Sequence, residues 1–353
     1  MNFQVEKPKV DLYRVRTFGQ KFSATFDFIK ENYKLLLKAC FYLILPVCLF
    51  QAFAFERLMT AVASDNMSSV ADDGSTSGAL SYLLINTGLS YILLLICICL
   101  GTLLLFSICF AMIRYYNESP TRLQGVTLRD LKPLIIQCMK RSFLMGLVFS
   151  VAWVVIVIIL GLFAFIFFEV ASNDQFPNVL IGIGLFFLVI IGLLVAFVPA
   201  TVSWPVYLFE DDETVFSAIR RGWRLGIYSF FPLIGLMFIM ALIENVLQTV
   251  TTLPWYFMYL AKVFLTAANA EEVSIASSPV YNFVEYILSV VMNFGTYLAT
   301  ILTIIALAFH YGSVAEEVDG VSVEESIQNF DQLAEKDNDI DDFDKLSHNS
   351  LNP

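Results

Sequence analysis

Of the chain's 353 residues 58% are hydrophobic and only 15% charged, with a mean hydropathy of +0.72, whereas soluble domains run at roughly 45–50% apolar and 25% charged. That excess excludes an ordinary water-soluble globule. The net charge of −11 excludes a nucleic-acid partner, which needs a basic footprint; the acidity is local, since 12 acids and 2 lysines follow from Glu316 onward.

A bilayer crossing takes about 20 predominantly apolar residues, and six strongly apolar runs qualify: Ala39 to Phe55, Ala79 to Ile113, Ser142 to Phe168, Val179 to Phe209, Phe230 to Val250 and Tyr281 to Phe309. The expected fold is therefore all-α, a polytopic bundle of six spans carrying amphipathic interfacial helices on its cytoplasmic side. Lysine and arginine near short loops mark the cytoplasmic face, and 19 of the 21 basic residues fall on one side, with only Arg57 and Lys262 on the other. Both termini are thus expected in the cytoplasm, in a multi-pass membrane protein. The first 17 residues are polar and no cleavable signal is visible, so span 1 would direct its own insertion. All six cysteines lie in spans or on the cytoplasmic side, and disulfides are not expected; Cys97 and Cys99 point about 200° apart on a helix, which disfavours a metal pair.

Residues 1–17 read as a flexible lead-in, 18–312 as the membrane domain and 313–353 as a largely disordered acidic cytoplasmic tail. From Phe18 a stripe forms, Phe18, Phe22, Phe26, Ile29 and Tyr33, with Lys21, Lys30 and Lys34 between. Such a helix either lies in the interface with its lysines toward anionic headgroups or enters the span packed on the bundle. Pro46 should kink span 1. A polar loop, Glu56 to Gly78, follows outside. Thr127 and Asp130 fit a capping box that opens a second interfacial helix before span 3, although Pro133 would sit more comfortably in a first turn. Span 4 is rich in glycine and closes at Pro199 and Pro205, with Trp204 and Tyr207 at headgroup depth. Residues 253–270 are too short for a seventh span and read as an outer interfacial or re-entrant segment. Ser322 and Glu325 cap a short helix in the tail.

The lead-in to span 1, Phe26 to Leu35, matches the lead-in to span 5, Phe216 to Leu225, in Phe, Ile, a base, an aromatic, a base and Leu; Met139 to Phe143 gives a weaker third copy. The chain reads as three units, each an amphipathic helix followed by a helical hairpin. The order Pro205-Val-Tyr-Leu-Phe-Glu210, then Val215 to Leu225 with Ala218, Arg220, Arg221, Gly222, Trp223 and Arg224, resembles a motif of bacterial six-span proteins. These are the YciC-like proteins and the membrane domain attached to some glycerophosphodiester phosphodiesterases; Gly222 stands where they usually carry serine. The resemblance implies fold and location, with Glu210, Arg220, Arg221, Trp223 and Arg224 as a motif at the cytoplasmic interface. As generic headgroup anchors, the three arginines would tolerate replacement by lysine; loss of the protein on that replacement would instead point to bidentate pairing with Glu210, Asp211 or a phosphate.

Catalysis is not expected. The chain has two histidines, His310 and His348, too few for a His-rich metal site, and it lacks HExxH; no cofactor is implied. His310 reads as an interfacial residue first and a pH sensor second. Polar residues inside spans are candidates for function by default: Glu244, Asn245 and Gln248 in span 5, and Asn293 in span 6. The bland reading pairs Glu244 with Lys262 or keeps it protonated. The chain is accordingly expected to be a non-enzymatic accessory or scaffold touching the lipid bilayer and its anionic headgroups. A transporter or lipid-handling protein using spans 5 and 6 is the alternative, and an intramembrane hydrolase the third.

Overall fold

In the computed structural model, residues 9–64, 76–120, 122–171, 176–267 and 278–321 are described. They form nine helices and no strand: α1 Phe18–Leu43, α2 Leu45–Ser64, α3 Thr76–Glu118, α4 Leu128–Ala171, α5 Phe176–Ala200, α6 Ser203–Phe209, α7 Val215–Tyr228, α8 Phe230–Ala267 and α9 Pro279–Asp319. Five are long and apolar enough to cross a membrane, and a sixth crossing results if α1 and α2, bent by 48°, count as one. The bend falls where Pro46, in the first turn of α2, supplies no N–H to the turn before it. The protein is a multi-span helical bundle.

α9 is the central helix, with α8, α2, α1 and α3 packed around it. Its side chains are buried on most faces from Gly295 to Ala315, whereas α4 turns Val151, Trp153, Val154, Val157 and Ile158 outward. Against lipid this surface loses nothing, because helix association in a bilayer depends on close packing rather than on hiding apolar area. The same logic inverts α1. Phe18, Phe26 and Tyr33 of its aromatic stripe are exposed, while Lys21, Ala24, Thr25, Phe28 and Asn32 face the bundle.

All three lead-ins share one burial pattern. Phe28, Cys138 and Ala218 are buried, as are Asn32, Ser142 and Gly222; Lys30, Lys140 and Arg220 are exposed, as are Tyr33, Phe143 and Trp223. The repeat is therefore carried by which face packs, more than by which residue packs.

Several boundaries differ from the sequence expectation. Residues 253–267 are neither interfacial nor re-entrant; they continue α8 through Pro254 as one 38-residue helix. Nothing in that run, proline apart, stops a helix, and neighbours can re-satisfy the one backbone group that Pro254 frees. α9 likewise runs past residue 312 to Asp319, where Gly320, at φ 62°, ends it in a left-handed cap. The outer loop is shorter, since α2 extends to Ser64, and residues 65–75 lie outside the described set. The lead-in is ordered from Lys9: its ammonium donates to the carbonyls of Asn117 (2.8 Å) and Ser119 (3.1 Å), and Arg16 N–H donates to Ser313 Oγ at 2.9 Å. Leu12, 2% exposed, lies flat on Gly312, where any Cβ would strike its carbonyl oxygen. Asp130 does accept from Thr127 N–H at 2.8 Å, so α4 starts at Leu128 with Pro133 inside. The tail helix expected from Ser322 lies outside the described residues.

Candidate functional site

Two polar regions hold the singled-out residues, one at the end of the bundle where Lys9 and Gly320 lie and one within the spans. The first is built on the 210–214 turn. α6 ends at Phe209, leaving carbonyls that no later helical N–H satisfies, and Arg141 of α4 closes them. Its Nε donates to Tyr207 O at 2.8 Å, Nη1 to Asp211 O at 3.0 Å, and Nη2 to Glu210 O at 2.6 Å and Glu213 O at 3.3 Å. The guanidinium also lies 4.4 Å from the Tyr207 ring centroid. Arg114, at the end of α3, grips the Asp211 carboxylate with both Nη atoms, and Gln137 adds a third donor at 3.1 Å. That hydrogen bonding by Arg114 holds the Asp211 carboxyl below the usual aspartate range.

Glu210 turns inward. It accepts from Tyr311 Oη and Arg221 Nη1, yet burial outweighs both and raises its carboxyl above the ordinary value. Burial opposes the charge on Arg221 as well, but Glu210 and Asp319 more than offset it and leave the guanidinium above its ordinary value. Arg221 reaches Asp319 at 2.8 Å, and Arg224 reaches it at 3.0 Å.

Of the motif, then, Glu210 and Arg221 meet directly and Arg224 joins them only through Asp319, while Arg220, Trp223 and Arg224 are all exposed. The expectation that the three arginines serve as equivalent headgroup anchors is corrected, because Arg221 is committed to carboxylates of the chain itself. Gly222 has a steric reason to replace serine: a Cβ there would lie 2.5 Å from the Ser203 Cα and N.

A rule connects these contacts. Glu31, Arg141 and Arg221 occupy equivalent positions in the three lead-ins, and each ties the exit of its own hairpin: Glu31 to Arg122 at 2.8 Å, Arg141 to Asp211 at 3.2 Å, Arg221 to Asp319 at 2.8 Å. The first pair has its charges reversed. Sequence reasoning missed Arg141, Arg114 and Asp319, although Arg141 stood within the third repeat copy at the place of Arg221; Asp211 was an expected arginine partner, but its arginines are Arg114 and Arg141.

Within the spans, the four candidate residues do not form one site. Asn293 turns toward α2, accepting from Gln51 Nε2 at 2.8 Å; Tyr297 Oη donates to Gln51 Oε1 at 2.8 Å, and Asn293 Nδ2 to Ser289 O at 2.9 Å. All three side chains of this closed network are buried. Asn245 is exposed and bonds only back to Ala241 O, at 2.7 Å. Glu244 and Gln248 do meet, on the α8–α9 seam, where Glu244 accepts from Gln248 Nε2 at 3.0 Å, Thr300 Oγ1 at 2.7 Å and Thr303 Oγ1 at 2.6 Å.

The expected Glu244–Lys262 pair does not form. In a continuous α8, Lys262 stands five turns beyond Glu244, about 27 Å along the axis at 1.5 Å per residue. Lys262 instead pairs at 2.6 Å with Glu285, whose neighbour Glu56 accepts from Trp255 Nε1 at 3.3 Å.

His310 is not interfacial: it is fully buried between Lys21, whose Nζ is 3.2 Å from Nδ1, and Ser229, whose Oγ is 3.0 Å from Nε2. An ammonium can only donate, so with Lys21 charged Nδ1 accepts and Nε2–H faces the serine. That tautomer cannot take the Ser229 proton, as a nucleophile's general base must. Trp204 is partly buried, packed between Phe106 at 4.8 Å and Phe149 at 5.8 Å between centroids. Among the described residues no cluster of three or more His, Cys, Asp or Glu is set to hold a metal. No family model, curated protein or solved structure matches the chain.

Proposed function

We propose that the chain is a non-enzymatic accessory or scaffold protein of a bacterial cytoplasmic membrane, with both ends in the cytoplasm and its basic rim against anionic headgroups. The observation that carries this reading is the set of three equivalent ties, Glu31–Arg122, Arg141–Asp211 and Arg221–Asp319. They fasten each hairpin exit to its own lead-in and make a fixed rim from which Lys30, Lys140 and Arg220 are exposed. Each exposed base near an anionic surface contributes about 1 kcal/mol, enough together to hold the rim at the headgroups. The resemblance of the Pro205 to Leu225 stretch to the YciC-like proteins agrees with this location.

A second reading, transport, is favoured by one observation: Glu244 has no ion-pair partner among the described residues. The two readings separate in cells lacking the protein. A Glu244→Gln variant, present in the membrane at normal abundance, is expected to restore the wild-type phenotype and to co-purify with the same proteins and lipids. Failure to restore it at normal abundance would overturn the scaffold reading and leave transport.

A further inference from the structure

Two acidic side chains of the spans are treated oppositely. Glu285 is 2% exposed and has its cation supplied by the chain, Lys262 at 2.6 Å. Glu244 receives three neutral donors, Gln248, Thr300 and Thr303, and no cation among the described residues. Donors of this kind orient and stabilise a carboxylate, but they leave its charge in place, and an uncompensated charge at span depth costs at least about 2.5–3.5 kcal/mol. What faces Glu244 from its own helix is Gln248, and from α9 Thr300 and Thr303, none of them ionisable. The cells of the apolar cluster packed beside it toward α1, Met240, Leu302 and Ala306, are no more able to supply charge.

The arrangement of lone pairs leaves a place for one. A carboxylate offers about four acceptor positions. Oε1 is filled by Gln248 and Thr300, while Oε2 takes only Thr303. Thr300 has one hydroxyl proton and two acceptors in reach, Glu244 Oε1 at 2.7 Å and Thr296 O at 3.0 Å. It can therefore turn its proton to the backbone when the carboxylate charge is neutralised, without breaking a helical bond.

We propose that Glu244, Gln248, Thr300 and Thr303 form a site for one small monovalent cation, a proton or a sodium ion, seated at Glu244 Oε2. Glu244 is half-buried on the α8–α9 seam, and the occupancy of the site is compatible with either functional reading.

The test uses the full chain in nanodiscs of phosphatidylethanolamine and phosphatidylglycerol. Dicyclohexylcarbodiimide, an apolar reagent that attacks protonated carboxyls, is added across pH in sodium or in choline salts, and adducts are located by mass spectrometry. Glu244 is expected to be modified ahead of Glu285, which Lys262 holds at 2.6 Å, and the rate should fall as pH rises. Protection by sodium but not choline assigns a sodium site; pH dependence that sodium leaves unchanged assigns a proton site. The double variant Thr300→Val, Thr303→Val, which keeps side-chain shape, removes two of the three donors and should alter the pH profile of modification. Absence of a Glu244 adduct at every pH in the folded protein, or a rate independent of pH and sodium, would overturn the proposal, as would an unchanged pH profile in the double variant.

Discussion

Gly222→Ala and Gly226→Ala are each expected to cost about 3 kcal/mol or more, the upper end of what an added methyl group costs in a packed interface. α7 lies directly on the chain between α5 and α6: a Cβ at Gly222 would be 2.5 Å from the Ser203 Cα and N, and one at Gly226 would be 2.5 Å from Pro199 O and 2.6 Å from its Cα. Backbone at a helix junction yields far less than a side-chain tip would. Since whole domains are stable by only about 5–15 kcal/mol, the double variant should lose most of its folded yield. Thermal melting of purified protein in detergent is the measurement, with Gly19→Ala, which has nothing within 4 Å, as the silent comparison. Melting of Gly222→Ala at the wild-type temperature would contradict the close approach of α7.

Arg141→Lys is expected to behave almost as badly, losing roughly 3 kcal/mol, because charge-assisted hydrogen bonds contribute about 1.5–3 kcal/mol each and one ammonium cannot span four carbonyls. The four acceptors, at Tyr207, Glu210, Asp211 and Glu213, are spread over a turn of chain that the planar guanidinium fork covers. Arg221→Lys should follow in the same direction, for it divides its two Nη atoms between Glu210 and Asp319. Arg220→Lys, exposed, should change stability by no more than about 0.5 kcal/mol. Acid should weaken the same knot late: Asp211 is held below its ordinary value by Arg114, so its contribution is complete above the unfolded aspartate pKa and disappears only as pH falls through the lower folded one. Equal melting temperatures for Arg141→Lys and Arg220→Lys would show that only charge matters at the rim.

Much of the fold was legible because a bilayer leaves few alternatives. Long apolar runs must be helices, and Pro46 broke span 1 where expected. Faces were harder to read. On α1 the aromatic stripe of Phe18, Phe26 and Tyr33 would mark the core side of a soluble helix, but in lipid it marks the outside, and the packed face sets Phe28 and Leu36 among small or polar residues such as Lys21, Ala24, Thr25, Asn32 and Ala39. The end of α8 was misread because Lys262 was weighed as a charge that breaks a span, when its partner Glu285, 23 residues further on, has no local sequence signature. His310 failed in the same way: its neighbours Lys21 and Ser229 come from two distant lead-ins. Arg141 was within reach, since the third copy of the repeat set it in register with Arg221; residue identity alone made that copy look weak, and shared burial is what strengthens it.

The central claim is that three hairpins each return to the same side of the membrane, where the lead-in ties their exits down. Single cysteines placed at Gln124, Asp212 and Val318, one in or beside each exit, and at Ser68, Asn173 and Ser274, one in each intervening connection, test it with a membrane-impermeant maleimide on intact cells. The native thiols give a low baseline, five being buried and Cys99 facing outward from a span. The account predicts labelling at 68, 173 and 274 and none at 124, 212 and 318 until the cells are opened. Labelling of any one of the three exits from outside, or protection of any one of the three connections, would contradict it.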